Sequence, residues 1–209
     1  RIYIYILFIM IIHINGLPGS VKTTLGKELS NLLNIDVVNT DDIYNLNALK
    51  ILSKYNFETG GIGRACKDYD HELLKINQED LNKIIEKYTD KNLIITGENH
   101  GMNMNIDKGF YIKKDNDLHY KQYNMRLLES INEHYDDIKE KLNSDISTQK
   151  KEIEICIKYK ISGPFMCSYS QLRKLDSISE EKSKKIGYKY ATYNEIIKEI
   201  EQIFITDNL

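Results

Sequence analysis

The chain has 209 residues, a length that fits one α/β domain with room for an inserted segment. Charged residues make up 29% and hydrophobic residues 41%, a composition that excludes a disordered or fibrous protein. The formal net charge of −2 provides no general attraction to nucleic acids or acidic membranes.

The cysteines and arginines add two expectations. The three cysteines, Cys66, Cys156 and Cys167, lack metal-ligand spacing, and their odd number is typical of a reduced compartment. We therefore expect a cytoplasmic protein. Arginine is scarce beside lysine, so each arginine is a candidate for a site that needs its fixed fork of donors.

The first 14 residues, RIYIYILFIMIIHI, form an almost unbroken apolar run. It is shorter than the roughly 20 residues of a transmembrane helix. Its end is predicted to be a buried parallel strand, and the alternative is the apolar core of a signal peptide. Because position 1 is not methionine, we expect Met10 to be the start and residues 1–9 to be a non-native extension.

A phosphate-binding loop is predicted directly after this strand. The pattern G-x-x-x-x-G-K-[ST] matches at every fixed position but one. Its backbone N–H groups and the following helix N-terminus suit phosphate oxygens, Lys22 reaches the β- and γ-phosphates, and Thr23 can ligate Mg²⁺. The predicted nucleotide-binding residues are Gly16, Leu17, Pro18, Gly19, Ser20, Val21, Lys22, Thr23 and Thr24.

The mismatch is Val21, where the pattern has glycine. Valine adds a stiff β-branched side chain. If the loop needs a positive φ there, the strain is about 1–3 kcal/mol. The alternative is a chance Gly/Pro turn before a helix.

The next strand and helix carry two carboxylates. A helix is predicted over 22–33, followed by a strand over 35–39 that ends at Asp41 and Asp42. Ligands bind at the carboxyl edge of a parallel sheet, so we expect one carboxylate to orient an acceptor hydroxyl or a Mg²⁺-bound water. The alternative role is capping of the following helix.

Two glycine-bearing segments are candidate substrate-binding elements. Residues 58–65 predict a mobile turn that presents Arg64 as an anion clamp, or a plain loop, and a helix capped by Asn77 is expected over 78–88. A third strand is predicted over 93–96. The segment after it is expected to bind a ligand, and the alternative is a plain polar turn. Its candidate substrate residues are Gly97, Glu98, Asn99 and His100.

The second half of the chain predicts a lid and a final strand–helix unit. A strand near 110–112 precedes a long helix over 117–142 that carries Lys121 and Arg126; a solvated face is the alternative, favoured for Lys121. Residues 143–187 are expected to be a helical insertion, with a helix over 150–161 and a capping box at Ser177. A last strand at 188–191 and a helix over 194–204 close the domain.

This order of elements resembles the small-molecule P-loop kinases, which include adenylate-, shikimate- and nucleoside-kinase-like proteins. The matches are the loop at 16–24, the strand end Val38-Asn-Thr-Asp-Asp-Ile43, the turn at 97 and the lid-like helix. The resemblance implies a single domain over 10–209: a parallel five-stranded sheet in a three-layer α/β sandwich with a helical lid. It also implies that Ala191 and Thr192 lie near the adenine.

The predicted activity is transfer of the ATP γ-phosphoryl group to a small-molecule acceptor, such as a nucleoside, nucleotide or other metabolite. ATP and Mg²⁺ are the expected cofactors. Lys22, Asp41 or Asp42, and Arg126 are the expected catalytic residues. One alternative is a polynucleotide-end kinase, which the near-neutral charge disfavours. Another is a non-catalytic nucleotide-binding protein, because of Val21. The oligomeric state and the acceptor are left open.

Overall fold

A computed structural model of the chain describes residues 9–17, 19–52, 54, 62–114, 116–142, 158 and 169–206. The strands are β1 (Ile11–Asn15), β2 (Asp36–Asn39), β3 (Leu93–Thr96), β4 (Lys108–Ile112) and β5 (Lys189–Ala191). The long helices are α1 (Lys22–Leu33), α2 (Thr40–Leu52), α3 (Ile62–Glu86), α4 (Asn116–Glu133), α5 (Tyr135–Leu142), α6 (Tyr169–Lys185) and α7 (Tyr193–Thr206).

The five strands form one sheet in the order β2-β3-β1-β4-β5, and every neighbouring pair is parallel. The predicted fold class, a parallel five-stranded α/β sheet flanked by helices, is confirmed. β1 lies at the centre, so the loop that follows it emerges in the middle of the carboxyl edge. The ends of β2 and β3 lie on one side of that loop, and the ends of β4 and β5 lie on the other.

Alternation along β1 divides the two faces of the sheet. Ile12 and Ile14 belong to the main apolar core, whereas His13 and Asn15 are buried on the other face. Helix α1 supplies Leu25 and Leu29 to this core, and α7 supplies Ile196 and Ile200. This core fixes β1 and α1, and therefore both ends of the loop between them.

Helix α1 approaches β3 closely at Gly26. A Cβ built on Gly26 would lie 2.4 Å from Cγ2 of Thr96, which is fully buried. Real Cβ contacts of that length are essentially never seen, so glycine is required here for packing and not for turn geometry.

The structure corrects several predicted boundaries. α3 begins at Ile62, so Arg64 lies in the first turn of a long helix and not on a mobile turn. Asn77 is an interior residue of that helix, buried and hydrogen-bonded to Asn47, and is not a cap. α6 runs through Ser177, so the predicted capping box there is wrong. The long helix expected over 117–142 is interrupted at His134.

Other predictions lie outside the described residues. They include the N-terminal extension expected over 1–9, of which only Ile9 is described, the segment 55–61, and the helix expected over 150–161, of which only Lys158 is described. Within the described ranges, none of the helices combines the length and apolar character needed to cross a bilayer.

Candidate functional site

The described residues of the loop between β1 and α1 include a tight turn and two left-handed conformations. A Cβ at Gly16 would lie 2.5 Å from the Ser20 Oγ atom, so the chain turns too tightly for a side chain there. Gly19 has φ +82° and Val21 has φ +60°. A left-handed conformation is easy for Gly19, but Val21 has it against the preference of a β-branched residue. The glycine-like backbone is therefore retained at the one position where the sequence departs from the pattern.

Donors converge on this loop. Lys22 is buried, and its Nζ donates to the Leu17 carbonyl over 3.3 Å. Ser20 Oγ is buried and has no hydrogen-bond partner among the described residues. Val21 is the N-cap residue of α1 and has no side-chain acceptor, so the first N–H groups of the helix are left for another acceptor.

Helix α4 and the end of β4 hold the outer side of the loop. Lys114 donates from Nζ to the Gly19 carbonyl over 2.6 Å and to Oε1 of Gln122. Burial lowers the pKa of Lys114. Tyr123 packs on Leu17, and a Cβ at Gly19 would lie 3.3 Å from the Tyr123 Cα atom. The predicted lid helix thus contacts the loop through its backbone and through Lys114.

Asp41 faces the loop from the first turn of α2. Its Oδ2 lies 3.7 Å from Lys22 Nζ, and its Oδ1 accepts from the Glu98 N–H and from His100 Nε2, each over 3.0 Å. Burial alone would raise the pKa of Asp41. The His100 hydrogen bond, the Lys22 charge and the Glu98 N–H together lower it to about 2. The carboxylate is therefore ionised at neutral pH.

The turn after β3 is held by hydrogen bonds from the first residue of α2. The Thr40 hydroxyl lies 2.7 Å from the Glu98 carbonyl and 3.1 Å from the Thr96 carbonyl. His100 has φ +45° and stacks on Tyr44 with ring centroids 4.2 Å apart. These contacts make one polar network of the ends of β2 and β3.

His13 joins this network from below. It is fully buried on β1, its Nε2 lies 3.0 Å from the Gly97 carbonyl, and its Nδ1 contacts the Tyr188 hydroxyl. Burial lowers the pKa of His13 to about 4, and the nearby Lys22 charge acts in the same direction, against the Gly97 carbonyl and Asp41. The imidazole is neutral at physiological pH.

The structure brings some of the predicted site residues together and not others. Lys22, Asp41, Glu98 and His100 form one contiguous group, whereas Asp42 is exposed in the first turn of α2. Asn99 uses its carbonyl and side chain on the N–H groups of Met102 and Gly101, within its own turn.

The remaining predicted residues differ in how far the structure describes them. Thr23 is half-buried and Thr24 is exposed at the start of α1. Arg64 and Arg126 have helical backbones in α3 and α4, and their side chains lie outside what the structure describes, as does Pro18.

Several structural partners of the site were missed by sequence reasoning. His13 was part of an apolar run and Tyr188 opened a strand, so neither had a polar pattern around it. Lys114 had one signal that was available: it follows β4 directly, at the same edge as Asp41. Thr40 precedes two aspartates in the sequence, and no role was predicted for its hydroxyl.

The chemistry of the loop fits the triphosphate group of a nucleoside triphosphate with a divalent cation. The orphaned Ser20 hydroxyl, the buried Lys22 ammonium and the uncapped N–H groups of α1 are all donors that a phosphate would satisfy. Thr23, which follows Lys22, carries a hydroxyl that would hold Mg²⁺ beside the phosphates.

Comparisons with known proteins provide structural neighbours only. No protein-family model and no curated protein matches the chain. A shikimate kinase from Bacteroides thetaiotaomicron aligns with a TM-score of 0.48 at 12% identity, covering 93% of this chain and 97% of that one. A deoxyadenosine kinase from M. mycoides aligns at 0.49 and 11%, covering 94% and 100%. A shikimate kinase from Acinetobacter baumannii aligns at 0.39 and 14%, covering 97% and 96%.

At these scores the neighbours carry no argument about reaction or substrate. The fold is instead evident from the chain itself, because a strand–loop–helix phosphate loop emerges at the centre of a five-stranded parallel sheet. The described residues therefore form a parallel five-stranded α/β sheet flanked by helices, with a strand–loop–helix unit at its centre.

Proposed function

We propose that the protein is an ATP-dependent phosphotransferase that moves the γ-phosphoryl group to a small-molecule acceptor. The observation that carries this proposal is the 3.7 Å approach of Lys22 Nζ, at the phosphate loop, to Asp41 Oδ2, at the end of β2. A phosphate-binding cation and an ionised carboxylate at one carboxyl edge are the two charges that phosphoryl transfer to a hydroxyl needs.

On the phosphate side, the loop amides, Ser20 and Lys22 would bind the β- and γ-phosphate oxygens. Among the described residues, Lys22 contacts only a loop carbonyl and Asp41, at 3.3 and 3.7 Å, so the ammonium can turn to a phosphate without breaking a strong contact. Thr23 would hold Mg²⁺, which supplies charge neutralisation between the phosphates. Leu17, Gly19 and Val21 shape the backbone.

On the acceptor side, Asp41 would orient the nucleophile. Oδ1 is already engaged by the Glu98 N–H and His100, which leaves Oδ2 directed towards Lys22 and the reaction space. A carboxylate with a pKa near 2 is a weak base, so it aligns the hydroxyl and accepts its proton late, as the bond to phosphorus forms. Arg126 would neutralise developing charge, and Arg64 and Asn99 would contact the acceptor.

A second candidate is a nucleotide-binding protein without turnover. The observation that favours it is the φ of +60° at Val21, because the side chain stands where a glycine would let phosphate approach the backbone. The two candidates share the same fold and the same binding loop, and they differ in whether the bound nucleotide reacts.

The test is Mg-ATP binding by calorimetry on the parent chain and on Val21→Gly, with Lys22→Met as the control for the phosphate site. ADP release is then followed against a panel of metabolites, nucleosides, nucleotides and oligonucleotides. Binding with turnover on a metabolite supports the phosphotransferase. Binding without turnover by either form favours the second candidate. Turnover on oligonucleotides alone indicates an end kinase. Absence of binding by both forms, each folded by circular dichroism, would contradict the proposal.

A further inference from the structure

His13 is a buried polar residue to which the proposed reaction gives no part. It lies on the central strand, one residue from Ile14 and two from Asn15, directly below the phosphate loop. A fully buried imidazole has to satisfy both ring nitrogens, and here each nitrogen has a partner on a different element.

The partners determine which nitrogen carries the proton. The Gly97 carbonyl can only accept, so Nε2 carries the hydrogen and donates to it over 3.0 Å. Nδ1 is then an acceptor and receives the hydroxyl hydrogen of Tyr188. Burial raises the pKa of Tyr188, so the phenol stays protonated and remains a donor. The contacts therefore fix one neutral tautomer of His13.

Tyr188 is itself held against the sheet. Its ring lies over Gly109 of β4, where a Cβ would stand 2.4 Å from the Tyr188 Cδ1 atom, and it meets the His13 ring edge-on at 5.4 Å. The connection runs from the residue before β5, across β4, to His13 on β1 and then to the end of β3. It crosses the sheet beneath the phosphate loop.

The Gly97 carbonyl at the end of this connection starts the turn that holds Asp41. Gly97 has φ +116°, and a Cβ there would lie 2.2 Å from the Thr40 Oγ1 atom, so the turn has little freedom. The next residue, Glu98, donates its N–H to Asp41 Oδ1, and His100 donates to the same oxygen. A shift of the Gly97 peptide would therefore move both donors away from Asp41.

We propose that His13 is a positioning residue of the site: its Nε2–H, aligned by Tyr188, fixes the Gly97 carbonyl and thereby the turn that holds Asp41. The inference rests on the proposed function for the role of Asp41, and its geometry is independent of any nucleotide. It also gives a reason for a histidine between the apolar residues Ile12 and Ile14 of β1.

The experiment is solution NMR of the full chain without nucleotide. Two signals are measured: the ¹⁵N pattern of the His13 ring, which distinguishes the tautomers, and hydrogen exchange of the Glu98 amide, which reports the bond to Asp41. The variants are Tyr188→Phe, which keeps the ring on Gly109, His13→Leu, and His13→Gln, whose amide keeps a donor at the reach of Nε2. His71→Gln, at an exposed position of α3, is the matched control.

We expect Tyr188→Phe to give a mixed tautomer signal and, like His13→Leu, Glu98 amide exchange about ten times faster or more. His13→Gln should restore slow exchange, and His71→Gln should match the parent. Amides in the middle of β1 should be unchanged in Tyr188→Phe, which separates a loosened turn from general destabilisation. If His13→Leu does not fold, Tyr188→Phe and His13→Gln still decide the question.

Unchanged Glu98 exchange in Tyr188→Phe with a tautomer shift, or a parent ring protonated at Nδ1, would overturn the proposal. Mg-ATP calorimetry on the same samples separates this outcome from failure of the proposed function. A loosened turn in the variants, together with no Mg-ATP binding by the parent chain, would refute the phosphotransferase and leave the His13 connection standing. Normal Mg-ATP binding by the parent chain, with an unaltered turn in the variants, would refute the His13 connection and leave the phosphotransferase standing.

Discussion

The phosphate loop and the turn after β3 lie side by side at the carboxyl edge and are built in opposite ways. The loop contains a valine in a left-handed conformation, a buried hydroxyl without a partner and a lysine that lies 3.3 Å from a carbonyl. Around the turn, Asp41, Glu98, Thr40 and His13 make hydrogen bonds of 2.7–3.1 Å. The loop is thus arranged for a ligand to complete, whereas the turn is already arranged without one.

The largest expected effect tests the phosphate loop. Lys22→Met removes the buried ammonium, and we expect the rate of phosphoryl transfer to fall by about a thousandfold because the charge that stabilises the transferred group is lost. Lys27→Met, at an exposed position on the same helix, is the control and should retain activity. The measurement is ADP release at saturating Mg-ATP. Equal activity of the two variants would remove Lys22 from the mechanism.

The next effect tests the network around the turn after β3 through the pH dependence of the free energy of unfolding. Unfolded His13 has the ordinary pKa of 6.5, and the folded group has a pKa of about 4. Below pH 6.5 the unfolded chain binds a proton that the folded chain does not. The free energy of unfolding should therefore fall as the pH drops from about 6.5 to about 4, by on the order of 3 kcal/mol.

Urea unfolding across this pH range measures the effect in the parent and in His13→Gln. The glutamine variant should lose most of the slope, and His71→Gln should keep it. Asp41 acts in a lower window: its pKa is lowered from 3.8 to about 2, so its contribution is present above pH 3.8 and disappears towards pH 2. A parent slope that persists in His13→Gln would show that another group is responsible.

A smaller effect tests the assignment of the carboxylate at the boundary of the two regions. Asp41→Asn should lower turnover by about a hundredfold, because the amide cannot orient the nucleophile through an ionised oxygen. Mg-ATP affinity should change little. Asp42→Asn serves as the comparison, since Asp42 is exposed. Loss of turnover in Asp42→Asn and not in Asp41→Asn would reverse the assignment.

The smallest effect measures the strain of the loop. Val21→Gly should stabilise the fold by about 1 kcal/mol, because relief of the left-handed valine outweighs the entropy that glycine loses on folding. Val38→Gly, a matched change in the regular strand β2, should destabilise it. Both are compared by urea unfolding at pH 7. Destabilisation by Val21→Gly would mean that the valine side chain contributes packing that exceeds the strain.

The sequence predicted most of the fold because its signals are local. The apolar run that ends at residue 14, the strand at 93–96 and the loop pattern each specify structure within a few residues, and they placed Lys22 and Asp41 at one edge. The start of α3 was missed because three glycines near Arg64 favour a turn, whereas the helix is held by later contacts such as Tyr69 and Leu73 against α2.

The residues that support the site form pairs that are far apart in the chain, so they were harder to predict from the sequence. His13 and Tyr188 are 175 residues apart, and Lys114 is 95 residues from Gly19. No spacing rule connects such residues, since only the strand order of the sheet brings them together. The sequence showed a valine at position 21, but only the structure shows that its backbone is left-handed.

Gly26 has a consequence for engineering this protein. Helix propensity alone recommends alanine at an interior helical glycine, with a gain of about 1 kcal/mol. Here the added methyl group would meet the buried Thr96 side chain at 2.4 Å, and Thr96 has no flexible end that can yield. A stabilisation programme that replaces helical glycines indiscriminately would push α1 off the sheet, and it would carry the phosphate loop away from the aspartate it faces.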